Sequence, residues 1–291
     1  MISKRARVIE KLMDFIRFKR IVSKMMLNPG RRKRYLLPPE ALLRHFSPEK
    51  LIINNRQCFS FRSAENPKKH IFYFHGGAYT LQPNMLHWRI ISRILKKVPC
   101  KITFMEYPLT PEHSCSDAIN VAADIYLKLC HPEKEEIILM GDSAGGGLAL
   151  SLAQKINNEN INPRPSKIIL LSPWLDVSMK SKIPEGLAAR DMILDRDTLK
   201  TVGDKYAGEL NKDNYLCSPL YGDFTDIGEI AIFTGTNDIL NIEAKKLKEK
   251  LWKGNARIAY HEYKEMQHVW IGFPIPEAID ALEKVCLFIM K

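Results

Sequence analysis

The segment Gly141-Asp142-Ser143-Ala144-Gly145 follows the apolar run Ile137-Ile138-Leu139-Met140 and leads into Gly146-Gly147-Leu148-Ala149-Leu150-Ser151-Leu152-Ala153. In order, these read as a strand, a turn of small residues and a helix. A chain that passes from strand to helix through so sharp a turn leaves no space for side chains two positions either side of the apex. Glycine fits there because it lacks a Cβ and tolerates unusual φ/ψ. The serine oxygen is then presented above the sheet at a helix N-terminus, where positive partial charge favours a developing anion. As a bare pattern Gly-x-Ser-x-Gly is weak, and the rest of the chain decides what it means.

Apolar runs of strand length recur at Ile71 to Phe74, Ile102 to Met105, Ile137 to Met140, Ile168 to Leu171, Ile230 to Phe233 and Ile258 to Tyr263. Helical periodicity fills the gaps near Trp88 to Lys97, Ser116 to Leu129, Ala144 to Asn157, Ile242 to Trp252 and Pro276 to Met290. Strands alternating with helices predict an α/β fold with a mostly parallel central sheet covered on both faces. Parallel strands buried on both sides should be continuously apolar, as these runs are. Leu51 to Ile53 and Cys58 to Phe61 are shorter candidates for an antiparallel edge. The 291 residues suit one large domain. We assign residues 51–291 to it. Residues 176–216 fill an unusually long gap between strands with charged, helix-compatible sequence, and we read them as a cap insertion.

His75-Gly76-Gly77-Ala78-Tyr79 follows the strand ending at Phe74. A glycine pair just past a strand leaves backbone N–H groups unobstructed, and acyl transfer needs such donors where a carbonyl oxygen becomes an oxyanion. Gly76 and Gly77 are the candidate donors on one side and Ala144 on the other.

Together with Tyr107-Pro108-Leu109-Thr110-Pro111-Glu112-His113, Ser172-Pro173-Trp174, Asp238-Ile239-Leu240 and His268, these blocks resemble the hormone-sensitive-lipase-like carboxylesterases of the α/β-hydrolase fold. The resemblance runs from about residue 50 to the C-terminus. It implies a supporting role for the turn holding Glu112 and His113, and a loop-holding role for His75. Two positions depart from the family pattern. Ala78 stands where a third glycine is common, and Asn241 where a second acidic residue often follows the catalytic segment.

In this fold the triad runs Ser, acid, His along the chain. Asp238 lies just past the strand Ile230 to Phe233 and is the acid. His268 lies past the strand ending at Tyr263 and is the base. Ser143 would attack an acyl carbon, His268 would take and return its proton, and Asp238 would fix the imidazole. Asp142 is rejected as the acid because adjacent side chains at an elbow point different ways. His261 sits inside a strand and is read as structural, and His45, His70, His87 and His131 lack motif context. Tyr79, Trp88, Trp174 and Trp270 are candidates to line an acyl or alcohol pocket, with packing as the competing role.

The first 34 residues hold twelve cations against Glu10 and Asp14, nearly the whole of the formal net charge of +11. Within residues 1–50, Val8, Leu12, Phe15, Val22 and Met25 or Met26 approximate one helical face, broadened by Ile9, Met13 and Ile16. One reading is a cap laid over the site mouth. The other is a basic amphipathic helix adsorbed on an anionic membrane surface. Nucleic acid is not expected, because the charge is local and has no recognisable binding fold.

Charges interrupt every N-terminal apolar run, so no secretory signal or spanning segment is expected. Six cysteines without paired spacing fit a reducing cytosol, and the expected location is cytoplasmic, with contact at the inner membrane surface under the second reading. We expect neither metal nor cofactor, since no phosphate loop or dinucleotide fingerprint is present. The expected activity is a serine hydrolase on small carboxylic esters, with short to medium acyl chains implied by the resemblance. An amide, formamide or lactone is an alternative substrate, and a non-catalytic ligand-binding relative an alternative class. The oligomeric state has no sequence signal.

Overall fold

The structure, a computed structural model, describes residues 2–30, 37–131 and 135–291. Strands β1 (Glu49–Ile53), β2 (Arg56–Arg62), β3 (Lys69–Phe74), β4 (Lys101–Met105), β5 (Glu136–Asp142), β6 (Lys167–Leu171), β7 (Glu229–Gly235) and β8 (Ile258–Tyr263) form one sheet in the order β1-β2-β4-β3-β5-β6-β7-β8. β2 is antiparallel to both β1 and β4, and every other pairing is parallel. The antiparallel edge is therefore where the short runs before residue 62 predict it.

The central strands are buried on both faces, which is why Ile138-Leu139-Met140 and Ile168-Ile169-Leu170-Leu171 read as unbroken apolar runs. β8 departs from that expectation. It is the sheet's edge, and its residues are half-exposed.

Three helices precede the sheet, α1 (Lys4–Phe15), α2 (Phe18–Leu27) and α3 (Glu40–Phe46). α4 (Met85–Leu95), α5 (Cys115–Leu129) and α6 (Ala144–Asn158) connect the early parallel strands; α7 (Leu187–Arg190) and α8 (Arg196–Ala207) lie in the long gap after β6; α9 (Asn241–Lys253) and α10 (Pro276–Met290) follow β7 and β8. The chain steps one way across the sheet from β3 to β4 and the other way from β4 to β5 and onward. Right-handed crossovers therefore put α4 on one face and α5, α6 and α9 on the other. Because β3 and β5 are neighbours whose following helices leave to opposite faces, a crevice opens beyond their C-terminal ends. His75-Gly76-Gly77 and Ser143 both stand at that switch point.

The N-terminal segment corrects the sequence reading of its apolar face. The chain breaks at Ile16 and Arg17, where Arg17 takes φ 51°, so the two helices do not share one continuous register. Polar anchors set the roll of α1. Ser3 donates through its N–H and Oγ to the Glu277 carboxylate at 2.5 and 2.9 Å, and Gln267 donates to Glu10 at 3.2 Å. Ala6 and Met13 consequently face the body, whereas Val8, Leu12 and Phe15, grouped with Met13 on one face in the sequence reading, point outward. In α2 Met26 is inside and Met25 outside. Arg31, Arg32, Lys33 and Arg34 of the basic cluster lie outside the described residues. No helix among the described residues is long and apolar enough to cross a membrane.

Candidate active site

Ser143 follows β5 with φ 52° and ψ −123°, a backbone conformation that L-residues rarely adopt and that costs about 1–3 kcal/mol. Its neighbours hold it there. The Ser143 N–H donates to Leu171 O at 2.8 Å, and its carbonyl accepts from Gly147 N at 3.1 Å and Trp174 N at 2.9 Å. Glycine is required on either side for a steric reason. A Cβ on Gly141 would lie 2.2 Å from Gly145 O, and one on Gly145 would lie 2.1 Å from Phe74 O.

The Ser143 hydroxyl meets His268 Nε2 at 2.8 Å, and His268 Nδ1 meets Asp238 Oδ2 at 2.8 Å. The three residues belong to loops after β5, β7 and β8, brought to one end of the sheet by its parallel order. Ser143 and His268 are each 6% exposed and Asp238 is fully buried. Burial opposes charge on the His268 imidazole, but the Asp238 carboxylate, through its charge and its hydrogen bond, outweighs that effect with help from Asp191 and Asp142. The imidazole's pKa is therefore raised above its ordinary value.

Gly76 lies directly against the elbow, since a Cβ there would fall 3.1 Å from Ser143 Cβ and 2.3 Å from Asp142 Oδ2. Gly77 takes φ +115°. As the first residue of α6, Ala144 has an N–H in the helix's unpaired first turn. His75 supports this loop from behind. Its Nδ1 meets Gly76 O at 2.7 Å, its ring stacks on Tyr107 at 4.5 Å, and its carbonyl accepts from Tyr107 Oη at 2.6 Å. Burial pushes its pKa down to about 3, with the neighbouring His87 adding to the effect, so it is neutral.

Asp142 is engaged away from the imidazole. It accepts from Tyr73 Oη at 2.8 Å and pairs with His87 Nε2 at 3.3 Å. The supporting turn acts through Tyr107 and through Thr110, whose N–H donates to Tyr79 O at 2.8 Å. His113 instead faces Arg56 at 2.9 Å, and Glu112 is exposed.

The four aromatic candidates are all buried. Tyr79 stacks on Tyr206 at 3.5 Å and adjoins Trp174 at 5.5 Å. Trp88 packs on Phe104 at 4.3 Å, and Trp270 on Tyr263 at 4.4 Å. Trp270 also bounds a void of about 10 Å³ beneath α1, together with Ala6, Glu10 and Gln267.

Three residues that sequence reasoning passed over are tied to the loops carrying Asp238 and His268. Asp191 accepts from Ile239 N at 2.9 Å, Ile193 N at 2.9 Å and Leu194 N at 2.8 Å. Burial, then the charge of Asp238, raises its pKa to about 6 despite those three donors. Gln267, next to the base, accepts from Met192 N at 2.9 Å and donates to Arg190 O at 3.1 Å. Ser172 Oγ accepts from Val269 N at 3.1 Å on the other side of His268. Ser172 stood in a quoted motif block; Asp191 and Gln267 carried no local signal. Beyond the acid, Asn241 accepts from Thr234 and Tyr260, and the buried Glu243 accepts from Leu175 N and Asp176 N.

A family model described as alpha/beta hydrolase fold matches residues 71–272. An acetyl-hydrolase from Streptomyces hygroscopicus is 27% identical over 234 residues, covering 78% of this chain and 77% of that protein. An esterase from Acinetobacter venetianus is 27% identical over 226 residues, covering 75% and 73%. The crystal structure of a hormone-sensitive lipase from a metagenome library superposes with a TM-score of 0.76 at 24% identity, covering 94% of this chain and 96% of that one, a likeness of fold.

Proposed function

Since the chain belongs to the alpha/beta hydrolase fold family, we propose that it is a serine carboxylesterase whose triad is Ser143, His268 and Asp238. One observation carries the reading. A single imidazole bridges the Ser143 hydroxyl and the Asp238 carboxylate at 2.8 Å on each side. That is the distance general-base catalysis needs.

In the proposed reaction His268 Nε2 removes the Ser143 proton as Oγ attacks the acyl carbon. The carbonyl oxygen becomes an oxyanion and accepts from the N–H groups of Gly76, Gly77 and Ala144, with the N-terminus of α6 behind it. Collapse breaks the ester C–O bond, and His268 returns the proton to the departing alcohol. Water then enters, gives its proton to His268 and attacks the acyl-enzyme, and the carboxylic acid leaves as Ser143 recovers its proton. The Asp238 carboxylate stabilises the imidazolium.

The near-complete burial of Ser143 and the acetyl-hydrolase among the relatives support acyl chains of short to medium length. The cap over the mouth is drawn from two parts of the chain, residues 1–50 and residues 176–216, with residues 51–291 as the body that hosts the second part. Supporting this, Lys19 Nζ donates to Ala188 O at 2.6 Å, and Gln267 reaches both Glu10 and Arg190.

A p-nitrophenyl ester series from acetate to laurate, run on wild type and Ser143→Ala, tests the reading. Turnover falling from short to long chains and lost in Ser143→Ala is expected. Equal turnover in both proteins refutes the nucleophile, and a steady rise toward laurate refutes the chain-length assignment.

A further inference from the structure

Two helices at the N-terminus carry apolar side chains on opposite sides. Ala6 and Met13 of α1 are buried against the body, yet Val8, Leu12 and Phe15, at i, i+4 and i+7, form a second stripe facing away from it. Their exposures are 65%, 57% and 86%. Ile21 and Met25 are a separate exposed i, i+4 pair on α2 at 45% and 50%. At 100° per residue, Lys4 and Lys11 lie on one side of the α1 stripe and Arg5 on the other, Arg20 and Lys24 lie on one side of the α2 pair, and Arg17 stands at the break between the helices. All six cations are exposed. The stripe is held in place, because the bonds of Ser3 to Glu277, Gln267 to Glu10 and Lys19 to Ala188 fix the helices from beneath.

Scattered surface hydrophobics are ordinary, but a helical triplet on α1 and an i, i+4 pair on α2, each with cations beside it, form a surface of defined chemistry. We propose that this face docks on an anionic lipid bilayer, with Val8, Leu12, Phe15, Ile21 and Met25 entering the headgroup and acyl boundary and the flanking cations meeting lipid phosphates. Charge decides the occupant. Two copies of this face would set these six exposed lysines and arginines against each other, whereas an anionic bilayer complements them. Of the two acidic residues on these helices, Glu10 is turned inward to Gln267. The docked face is then one helix away from Gln267, the residue before His268, so esters dissolved in the bilayer are the first to meet the site mouth. Docking itself rests on the roll of the two helices and stands whether or not the triad reading holds.

The test is co-sedimentation of the full chain with vesicles of phosphatidylcholine alone and of phosphatidylcholine with phosphatidylglycerol, for wild type, Ser143→Ala and the double variant Leu12→Asp with Phe15→Asp. Wild type and Ser143→Ala are expected to bind the anionic vesicles and to release them in high salt, with little binding to phosphatidylcholine alone. The double variant should bind at least about tenfold less while hydrolysing soluble p-nitrophenyl acetate at the wild-type rate, a readout that also reports its folding. Absence of wild-type binding to anionic vesicles, or equal binding by the double variant, overturns the proposal. A wild-type dimer in gel filtration that the double variant abolishes would assign the face to a second copy instead. Loss of turnover as a whole with vesicle binding intact would remove the esterase reading and leave this one.

Discussion

Asp191 Oδ2 accepts the Ile239 N–H at 2.9 Å, so a residue from the stretch between β6 and β7 holds the loop that carries Asp238. The same stretch reaches the loop of His268 through Arg190 O and Met192 N, which both bond to Gln267. Acid and base are thereby tied to one short segment, residues 190–194.

Replacing Asp191 by Asn is the corresponding test. Asn keeps an acceptor for Ile193 and Leu194 but turns an N–H₂ toward the Ile239 N–H, and it removes a negative charge that favours the His268 imidazolium. We expect kcat to fall by about tenfold, equivalent to ~1.4 kcal/mol, with a smaller change in KM. The acid limb of the pH–rate profile should move to lower pH. A merely structural residue would not shift that limb.

The wild-type profile has its own expected sign. His268 acts as a base only when neutral, and its pKa is raised, chiefly because Asp238 outweighs burial. Activity should therefore fall as pH drops, with a midpoint above the ordinary histidine value of about 6.5. Asp238→Asn should move that midpoint down and lower kcat by up to about 10⁴-fold. Measuring kcat/KM between pH 5 and 9 for both proteins, a span of roughly four units around that value, checks both statements.

Gly145→Ala tests the packing of the elbow. The new Cβ would lie 2.1 Å from Phe74 O, a backbone atom of the neighbouring strand that cannot yield locally. Destabilisation of roughly 3 kcal/mol or more is expected, since overpacking here adds to strained backbone. Thermal unfolding should show it as a lower Tm, with activity lost in proportion.

His87→Ala leaves the buried Asp142 carboxylate with Tyr73 as its remaining side-chain partner. Burial raises the Asp142 pKa, but His87, then Tyr73 and His75, more than offset it, so the carboxylate is ionised at neutral pH. Its folded pKa lies below the unfolded value, so its contribution is present above about pH 4 and is lost as pH falls through the folded pKa. The variant should lose about 3 kcal/mol near pH 7 and less than that near pH 3, a difference that denaturant melts at the two pH values measure.

Much of this was legible in the amino-acid order because it is local or repetitive. Central parallel strands such as Ile168 to Leu171 read as unbroken apolar runs because both faces are covered. The elbow reads from its glycines because no other residue fits beside Phe74 O. Asp238 and His268, proposed here as acid and base, were singled out by their position after late strands, a consequence of parallel order. Asp191 was not, because it is 47 residues before Asp238 in a stretch without periodicity and acts only through folding. The division of the α1 apolar residues between two sides was not legible for a different reason. Apolar residues lie on two sides of that helix, and the anchors that choose between them, Glu277 and Gln267, are near the other end of the chain.

Trapping of the acyl-enzyme tests the central claim most directly. Wild-type protein mixed with p-nitrophenyl butyrate, acid-quenched within the first turnover and digested, should carry a butyryl mass increment on the peptide containing Ser143, and Ser143→Ala should carry none. A burst of product with the increment on another residue, or turnover in Ser143→Ala at the wild-type rate, would contradict the account.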